Sequence, residues 1–257
     1  MTRRGRFARA CCNASTAERE STVTQHALLS NTEHRDLRVI TRRAAEYGDD
    51  MMYSLTFPSE FRNLQAHYPI VFAKSREGSF TPLALFGFRE KQNLFLNEAG
   101  WDAHYLPLMV ERQPFLIGAS PAGKVIHIDL DHPRISRTEG DRVFDEQGAN
   151  SPFLLRAGGM LAAIDEGVNA TPAFIAAIQE YNLLESFVLD IEFRDGAKHR
   201  FAGFHTIEED RLKQLGPEAL GKLHSQGYLQ MVFMVVASLS NFRDLIERAS
   251  RLDASQR

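Results

Sequence analysis

Short apolar runs separated by turn residues dominate the chain between residues 68 and 130. Residues 68–73 are apolar with two β-branched side chains, and similar runs lie at residues 83–88 and 93–96. Residues 124–130 alternate apolar and polar positions, as a half-buried strand does. Because Gly and Asn punctuate these runs, their spacing predicts an antiparallel meander.

In the second half the apolar positions follow a helical period. Between residues 151 and 181 they recur along one side of a helix, which is typical of a helix with one buried face. Pro152 suits the first turn of this helix. Pro172 predicts an interruption and a restart, because an internal proline removes a helical hydrogen bond.

A hairpin and further helices complete the predicted C-terminal half. Residues 187–193 alternate apolar and polar side chains, and Asp195-Gly196 then precedes the returning run 198–207, which is a strong hairpin signal. Helices are predicted over residues 208–215, 217–227 and 228–251. This order predicts an α+β fold and not an alternating βαβ one. We expect antiparallel strands in the N-terminal half and helices plus a β-hairpin in the C-terminal half.

Residues 1–23 differ in character from the rest of the chain. They show no hydrophobic period and are rich in Arg, Ala, Ser, Thr and Glu. This composition predicts a disordered basic extension over residues 1–23, followed by a single domain over residues 24–251. A second interpretation is upstream sequence included by a misplaced start codon. Since no apolar stretch follows the basic opening, we predict no secretory signal.

Charge and cysteine content narrow the functional classes. The net charge of −3, from 30 basic and 33 acidic side chains, gives no electrostatic argument for a nucleic-acid partner. The two cysteines, Cys11 and Cys12, are adjacent and provide neither a disulfide framework nor a thiolate zinc site. The most apolar segment, residues 228–239, is shorter than the roughly 20 residues that a spanning helix needs. We therefore expect a cytoplasmic protein with no nucleic-acid partner and no membrane span.

Several short segments occur in a characteristic order along the chain. They are Tyr68-Pro69-Ile70-Val71-Phe72, Asn93-Leu94-Phe95, Trp101-Asp102-Ala103-His104-Tyr105-Leu106-Pro107, Arg112-Gln113-Pro114-Phe115, Leu183-Leu184-Glu185, Gly203-Phe204-His205-Thr206-Ile207 and Ser238-Leu239-Ser240-Asn241-Phe242. Their order and spacing resemble the SapC family of bacterial proteins, from about Thr24 to Arg248. The family takes its name from a gene associated with a bacterial surface-layer (S-layer) protein. The resemblance implies an accessory or binding role that serves a surface-layer or outer-membrane system, and it supplies no catalytic residues.

One polar cluster has the composition of a metal site. His127, Asp129 and Asp131 would share one face of a strand, because side chains alternate across it. A histidine with two carboxylates suits iron, manganese or zinc. Iron sites of this kind need a second histidine from elsewhere, which the sequence does not locate. The alternative is a polar strand face that meets solvent.

An aromatic segment is the candidate binding surface. It contains Trp101, His104, Tyr105, Arg112 and Phe115. Large rings with polar edges line many pockets and interfaces, and an arginine can pair with a carboxylate or phosphate. The alternative is internal packing, with the rings in the core and Arg112 in a buried salt bridge.

Three functional classes follow from these observations. We favour a soluble cytosolic accessory or binding protein that serves a surface-layer or outer-membrane system, with a protein or small-molecule partner that the sequence does not identify. A metal-dependent enzyme that uses the His/Asp cluster is the second class. An exported S-layer-associated protein is the third, and it conflicts with the missing secretory signal. The sequence identifies no catalytic residue and no cofactor.

Overall fold

A computed structural model describes residues 26–121, 123–192 and 198–255. The predicted extension over residues 1–23 and the predicted Asp195-Gly196 turn lie outside these ranges. The strands are β1 (His26–Leu28), β2 (Arg38–Val39), β3 (Tyr53–Leu55), β4 (Ile70–Lys74), β5 (Phe80–Leu85), β6 (Leu96–Asn97), β7 (Gly100–Trp101), β8 (Phe115–Ser120), β9 (Gly123–Asp129), β10 (Ile135–Ser136), β11 (Asp141–Arg142), β12 (Leu184–Glu192) and β13 (Lys198–Ile207). The α-helices are α1 (Phe61–Leu64), α2 (Leu108–Glu111), α3 (Pro152–Glu180), α4 (Glu209–Lys213), α5 (Pro217–Ser225), α6 (Tyr228–Ser238) and α7 (Phe242–Ser255), and short 3-10 helices lie at Ala45–Tyr47, Pro58–Glu60 and Leu239–Asn241.

The largest sheet joins the two halves of the chain. Its strand order is β12-β13-β4-β5-β3, and every neighbouring pair is antiparallel. Strand β4 is central, and Ile70, Val71 and Phe72 are all buried because both faces of the strand are covered. Helix α6 contacts β4 and β13. The Oγ of Ser238 at its end accepts a hydrogen bond from the Ile70 N–H at 2.9 Å.

A second hydrophobic cluster lies under a smaller sheet. Strands β1, β9 and β8 pair in that order, all antiparallel, and β2 pairs with β10 and β11 in a further small sheet. Phe115 and Ile128 from the β8–β9 hairpin pack there with Leu154 of α3. Farther along α3, Phe174 and Ile178 belong to the cluster of the five-stranded sheet. One helix thus contributes to both hydrophobic clusters.

The fold class is confirmed, and several of its elements lie where the patterns predict them. Strands β4, β5 and β9 match the apolar and alternating runs, and β12 and β13 form the predicted hairpin. The final helical stretch also begins at Tyr228, although a 3-10 turn at Leu239–Asn241 divides it into α6 and α7.

The predicted interruption at Pro172 is wrong. Helix α3 runs without a break from Pro152 to Glu180 with Pro172 inside it. The proline leaves the Val168 carbonyl without its helical donor, but Val168 is 49% exposed, so water can take the place of that donor. Thr171 Oγ1 also donates to the Gly167 carbonyl at 2.8 Å, which adds a bond to the same turn.

The predicted strand over residues 93–96 is also largely wrong. Only Leu96 belongs to a strand, in the two-residue pairing of β6 with β7. Asn93 shapes a turn instead, because its Oδ1 accepts from the Phe95 N–H at 3.0 Å and its Nδ2 donates to the Asp49 carbonyl at 2.7 Å.

Among the described residues, two helical stretches are long and apolar enough to cross a membrane when judged by length and composition alone. They are Pro152–Glu180 and Tyr228–Leu252. The second is longer than the apolar segment 228–239 because the helical course continues through the 3-10 turn. Core helices of soluble proteins satisfy the same criterion. The expectation that the chain has no membrane span therefore stays a prediction.

Candidate functional site

A cleft of about 570 Å³ lies where the residues after α1, the segment around β7 and the start of α7 meet. We call it the Trp101 cleft. The side chains that give it chemical character are His67, Trp101, Asp102, His104, Asp244 and Arg248. They come from three separate stretches of sequence, so the cleft exists only in the folded chain.

Trp101 is held by a buried tyrosine. Its Nε1 donates a hydrogen bond to the Tyr68 hydroxyl at 2.7 Å, and that hydroxyl donates to the Tyr105 carbonyl. The indole also packs edge-on against the Phe86 ring, with 5.1 Å between the centroids. Burial raises the pKa of Tyr68, so its hydroxyl stays neutral and serves as both acceptor and donor. The indole is therefore fixed before any ligand arrives.

Tyr105 lies behind the cleft and contacts the buried carboxyl group of Glu60. Glu60 accepts hydrogen bonds from the Tyr105 hydroxyl at 3.0 Å, the Leu108 N–H at 2.7 Å and the Thr56 hydroxyl at 2.6 Å. Burial raises the pKa of Glu60, and the three donors oppose that rise only in part. These bonds join the segment that follows Trp101 to the 3-10 helix Pro58–Glu60.

Two imidazoles lie next to each other in the cleft, with their ring planes inclined by 58°. The ring centroids of His67 and His104 are 6.0 Å apart. Burial lowers the pKa of His67, and the neighbouring His104 lowers it further. At neutral pH the His67 ring is uncharged and offers one donor and one acceptor nitrogen.

Arg248 ties α7 to the loop that follows β7. Its guanidinium pairs with Asp102 at 2.7 Å and with Asp244 at 2.8 Å, and it lies 4.5 Å from the centroid of the Phe95 ring. The carboxylates of Asp102 and Asp244 remain partly exposed. This wall of the cleft therefore carries charged groups that are already paired with each other.

Arg112 and Phe115 lie away from the Trp101 cleft. Phe115 is buried in the cluster under the small sheet, with its ring centroid 5.8 Å from that of Phe153. Arg112 donates to the Phe115 carbonyl at 2.7 Å, and burial lowers the pKa of its guanidinium. Among the described residues Arg112 forms no ion pair, so the alternative of an internal salt bridge is not observed. Of the five predicted binding residues, the structure brings Trp101 and His104 together, with Tyr105 behind them.

The predicted metal ligands lie on and just after β9. His127 pairs with Leu28 and Leu116, and Asp129 pairs with His26. The His127 ring lies over Gly118, where an added β-carbon would come within 2.3 Å of it. Within the ranges that the structure describes, no group of three His, Cys, Asp or Glu side chains is placed to hold a metal ion. The metal hypothesis gains no support from this geometry and stays a prediction.

Sequence patterns missed His67, Asp102, Asp244 and Arg248. Asp244 and Arg248 are four residues apart on a helix, a spacing at which opposite charges pair. The sequence therefore contained a local signal for this one ion pair of the cleft. The contact between Arg248 and Asp102 joins residues 146 positions apart, so no local pattern could indicate it.

Comparison with known proteins places most of the chain in one family. The SapC family model matches residues 29–245. No curated protein and no solved structure matches the chain.

Proposed function

The chain belongs to the SapC family, and we propose that it is a binding protein whose ligand, or a projecting group of whose partner, occupies the Trp101 cleft. The observation that carries this proposal is the fixed, partly exposed indole of Trp101. A preorganised aromatic surface with polar neighbours lowers the entropy cost of binding.

The polar groups in the cleft are mostly engaged with one another, which favours binding over catalysis. Arg248 is paired with two carboxylates, and the Trp101 N–H is paired with Tyr68. Among the described side chains, no carboxylate orients either imidazole, so neither has the partner that usually activates a general base. What the cleft offers is an apolar ring surface with the nitrogens of His67 and His104 beside it. This combination suits a flat apolar group with a hydrogen-bonding edge.

Trp101 is the single tryptophan of the chain, which makes the cleft directly observable. A group that enters the cleft should change the fluorescence of Trp101 and protect it from acrylamide quenching. We would titrate the protein with the low-molecular-mass fraction of a host-cell extract, and separately with purified surface-layer protein. His104→Ala should abolish the response, whereas Arg112→Gln, changed in the same sequence segment but outside the cleft, should retain it. Equal responses in both variants would contradict the proposal.

We also propose that this binding protein acts in the cytoplasm and serves a surface-layer or outer-membrane system. The family name and the scarcity of cysteine support this assignment. Cell fractionation with an antibody against the untagged chain tests it. Recovery in the soluble cytoplasmic fraction is expected, and recovery with the membranes or the surface layer would overturn it.

A further inference from the structure

A second cavity, of about 260 Å³, lies beside the cluster under the small sheet. We call it the Arg43 cavity. It is bounded by β2 and the residues that follow it, by the segment from Glu111 to Phe115, and by the first turns of α3. This volume is many times the minimum of about 10–15 Å³ that a single buried water needs, which suits a ligand of amino-acid size.

A mostly buried guanidinium with unused donors lines this cavity. The side chain of Arg43 is 11% exposed, and only its Nη1 is engaged, with Asp49 at 3.3 Å and with the Val110 carbonyl at 3.3 Å. In the described part of the chain, Nε and Nη2 of Arg43 donate to no protein atom. Neither nitrogen is among the fully buried unpaired atoms, so both keep some accessible surface. The Nε–Nη2 edge is one that binds a carboxylate through two parallel hydrogen bonds.

The charge around Arg43 also favours an anion. The carboxylate of Asp49 is shared between Arg43 and the fully buried Arg134, which is closer at 2.5 Å. One carboxylate therefore faces two guanidiniums. Glu111 adds a second negative charge near Arg43, but it forms no direct ion pair with the guanidinium, so a bound carboxylate can still take the unused donors.

The mouth of the cavity adds a second cation and two acidic groups. Arg156 of α3 is exposed and forms no ion pair or side-chain hydrogen bond within the described ranges. Glu111 and Asp141 also line the cavity, and Asp141 accepts a hydrogen bond from Thr41 Oγ1 at 3.2 Å. A ligand with both charges can pair with both kinds of side chain.

The remaining wall is apolar. Phe115, Phe153 and Met160 line it, and such side chains contact an aliphatic group well. Gln113 also lines the cavity, and its buried Oε1 has no hydrogen-bond partner.

We propose that the Arg43 cavity binds a small apolar α-amino acid. The carboxylate pairs with Arg43 and Arg156, the ammonium group lies toward Glu111 and Asp141, and the aliphatic side chain packs against Phe153 and Met160. This site is separate from the Trp101 cleft, and the proposal does not depend on the function of that cleft.

Isothermal titration calorimetry of the full chain with L-leucine tests the assignment. Saturable binding of L-leucine is expected. The acid that lacks only the amino group, 4-methylpentanoate, should bind more weakly, and the amine that lacks only the carboxyl group, isopentylamine, should not bind. Absence of leucine binding, or isopentylamine binding as tightly as leucine, would overturn the proposal.

Variants locate the site on the protein. Arg156→Gln should weaken leucine binding about tenfold, the effect of losing one charge-assisted hydrogen bond. Arg142→Gln is the matched control, because Arg142 is exposed on neighbouring β11 and does not line the cavity. Arg43→Lys keeps the charge and removes the two-donor edge, so it should weaken binding at least as much. Equal affinities for Arg156→Gln and Arg142→Gln, with both variants folded by circular dichroism, would contradict the assignment.

The two sites are distinguished by the tryptophan. Leucine in the Arg43 cavity should leave the Trp101 emission unchanged. A leucine-dependent fluorescence change abolished by His104→Ala and retained in Arg156→Gln would place leucine in the Trp101 cleft and overturn the present assignment.

Discussion

Asp49 and Arg134 form an ion pair in which neither side chain has accessible surface. Arg134 also donates to the carbonyls of Ile40 and Arg42, both at 2.8 Å, and Asp49 accepts from the Ala44 N–H at 2.9 Å. This polar centre fixes the course of the chain after β2. It therefore holds in place the residues that carry Arg43.

Asp49→Asn is expected to destabilise the fold strongly. The substitution leaves the charges of Arg134 and Arg43 without their shared carboxylate, a change that costs about 3–5 kcal/mol for a buried pair. Urea denaturation followed by circular dichroism measures the loss. Glu247→Gln, which removes an exposed pair with Arg243 at 3.6 Å, is the control and should change the midpoint little. Equal midpoints for the two variants would show that the buried pair contributes nothing specific.

Two glycines of α3 should respond in opposite directions to alanine. A β-carbon on Gly167 would come within 2.1 Å of the buried Phe57 ring, so Gly167→Ala forces the helix and the ring apart at a cost of about 1–3 kcal/mol. Gly159 has no atom within 4 Å of that position, so Gly159→Ala should stabilise the helix by about 0.5–1 kcal/mol. Thermal unfolding of the two variants measures the sign of each change in stability. Destabilisation by Gly159→Ala would contradict the placement of that residue.

Tyr68→Phe isolates the hydrogen bonds that fix Trp101. The ring stays in the core, but the Trp101 N–H and the Tyr105 carbonyl each lose a partner. We expect a loss of about 1–3 kcal/mol in the free energy of unfolding, together with a shift of the Trp101 emission. Tyr53→Phe on β3 is the control, because Tyr53 is 45% exposed. If the two variants have the same stability and emission, Tyr68 does not position the indole.

The His67 imidazole should make the fold less stable in mild acid. Its pKa in the folded chain lies below the unfolded value of about 6.5, because of burial and then of His104. Above pH 6.5 the ring is neutral in both states and its contribution to stability is complete. As the pH falls below 6.5, the unfolded chain takes up the proton first, so this contribution is lost toward the lower folded pKa.

Comparison of variants separates this effect from other titrations. Glu60 acts in the opposite direction, since its pKa is raised by burial and its contribution decreases as the pH rises above the unfolded value. The stability of His67→Gln should therefore be compared with that of the unmodified chain from pH 7.5 to 5 by urea denaturation. The difference should shift in favour of His67→Gln toward acid. His224→Gln, at an exposed position of α5, is the control for the substitution itself, and a constant difference between His67→Gln and the unmodified chain would refute the assignment.

The parts of the fold that follow local rules were predictable. Strands β4 and β5 are short apolar runs bounded by turns, and β12 and β13 flank a turn dipeptide, so neighbouring residues carry the signal. The predicted interruption at Pro172 is wrong because the result depends on how exposed Val168 is in the folded chain. Neighbouring residues in the sequence do not reveal that exposure.

The Trp101 cleft also combines residues that a local pattern indicates with residues that only the folded structure brings in. Trp101 and His104 were identified because aromatic and polar residues are concentrated in one segment. His67 and Arg248 reach the cleft because α1 and α7 pack into the cluster of the five-stranded sheet, and that packing depends on contacts between distant residues such as Phe187 and Phe242. Arg112 and Phe115 do not line the cleft, because α2 and the turn after it lead the chain to the other hydrophobic cluster.

Helix α3 has a mechanical consequence for the whole molecule. Its 29 residues form a rod of roughly 43 Å at about 1.5 Å per residue, anchored at one end beside Phe115 and at the other beside Phe61. If either hydrophobic cluster unfolds, the half of α3 that packs against it becomes exposed. The backbone hydrogen bonds of that half continue into the half that packs against the second cluster, so they are weakened as well. The two clusters should therefore melt as one cooperative unit.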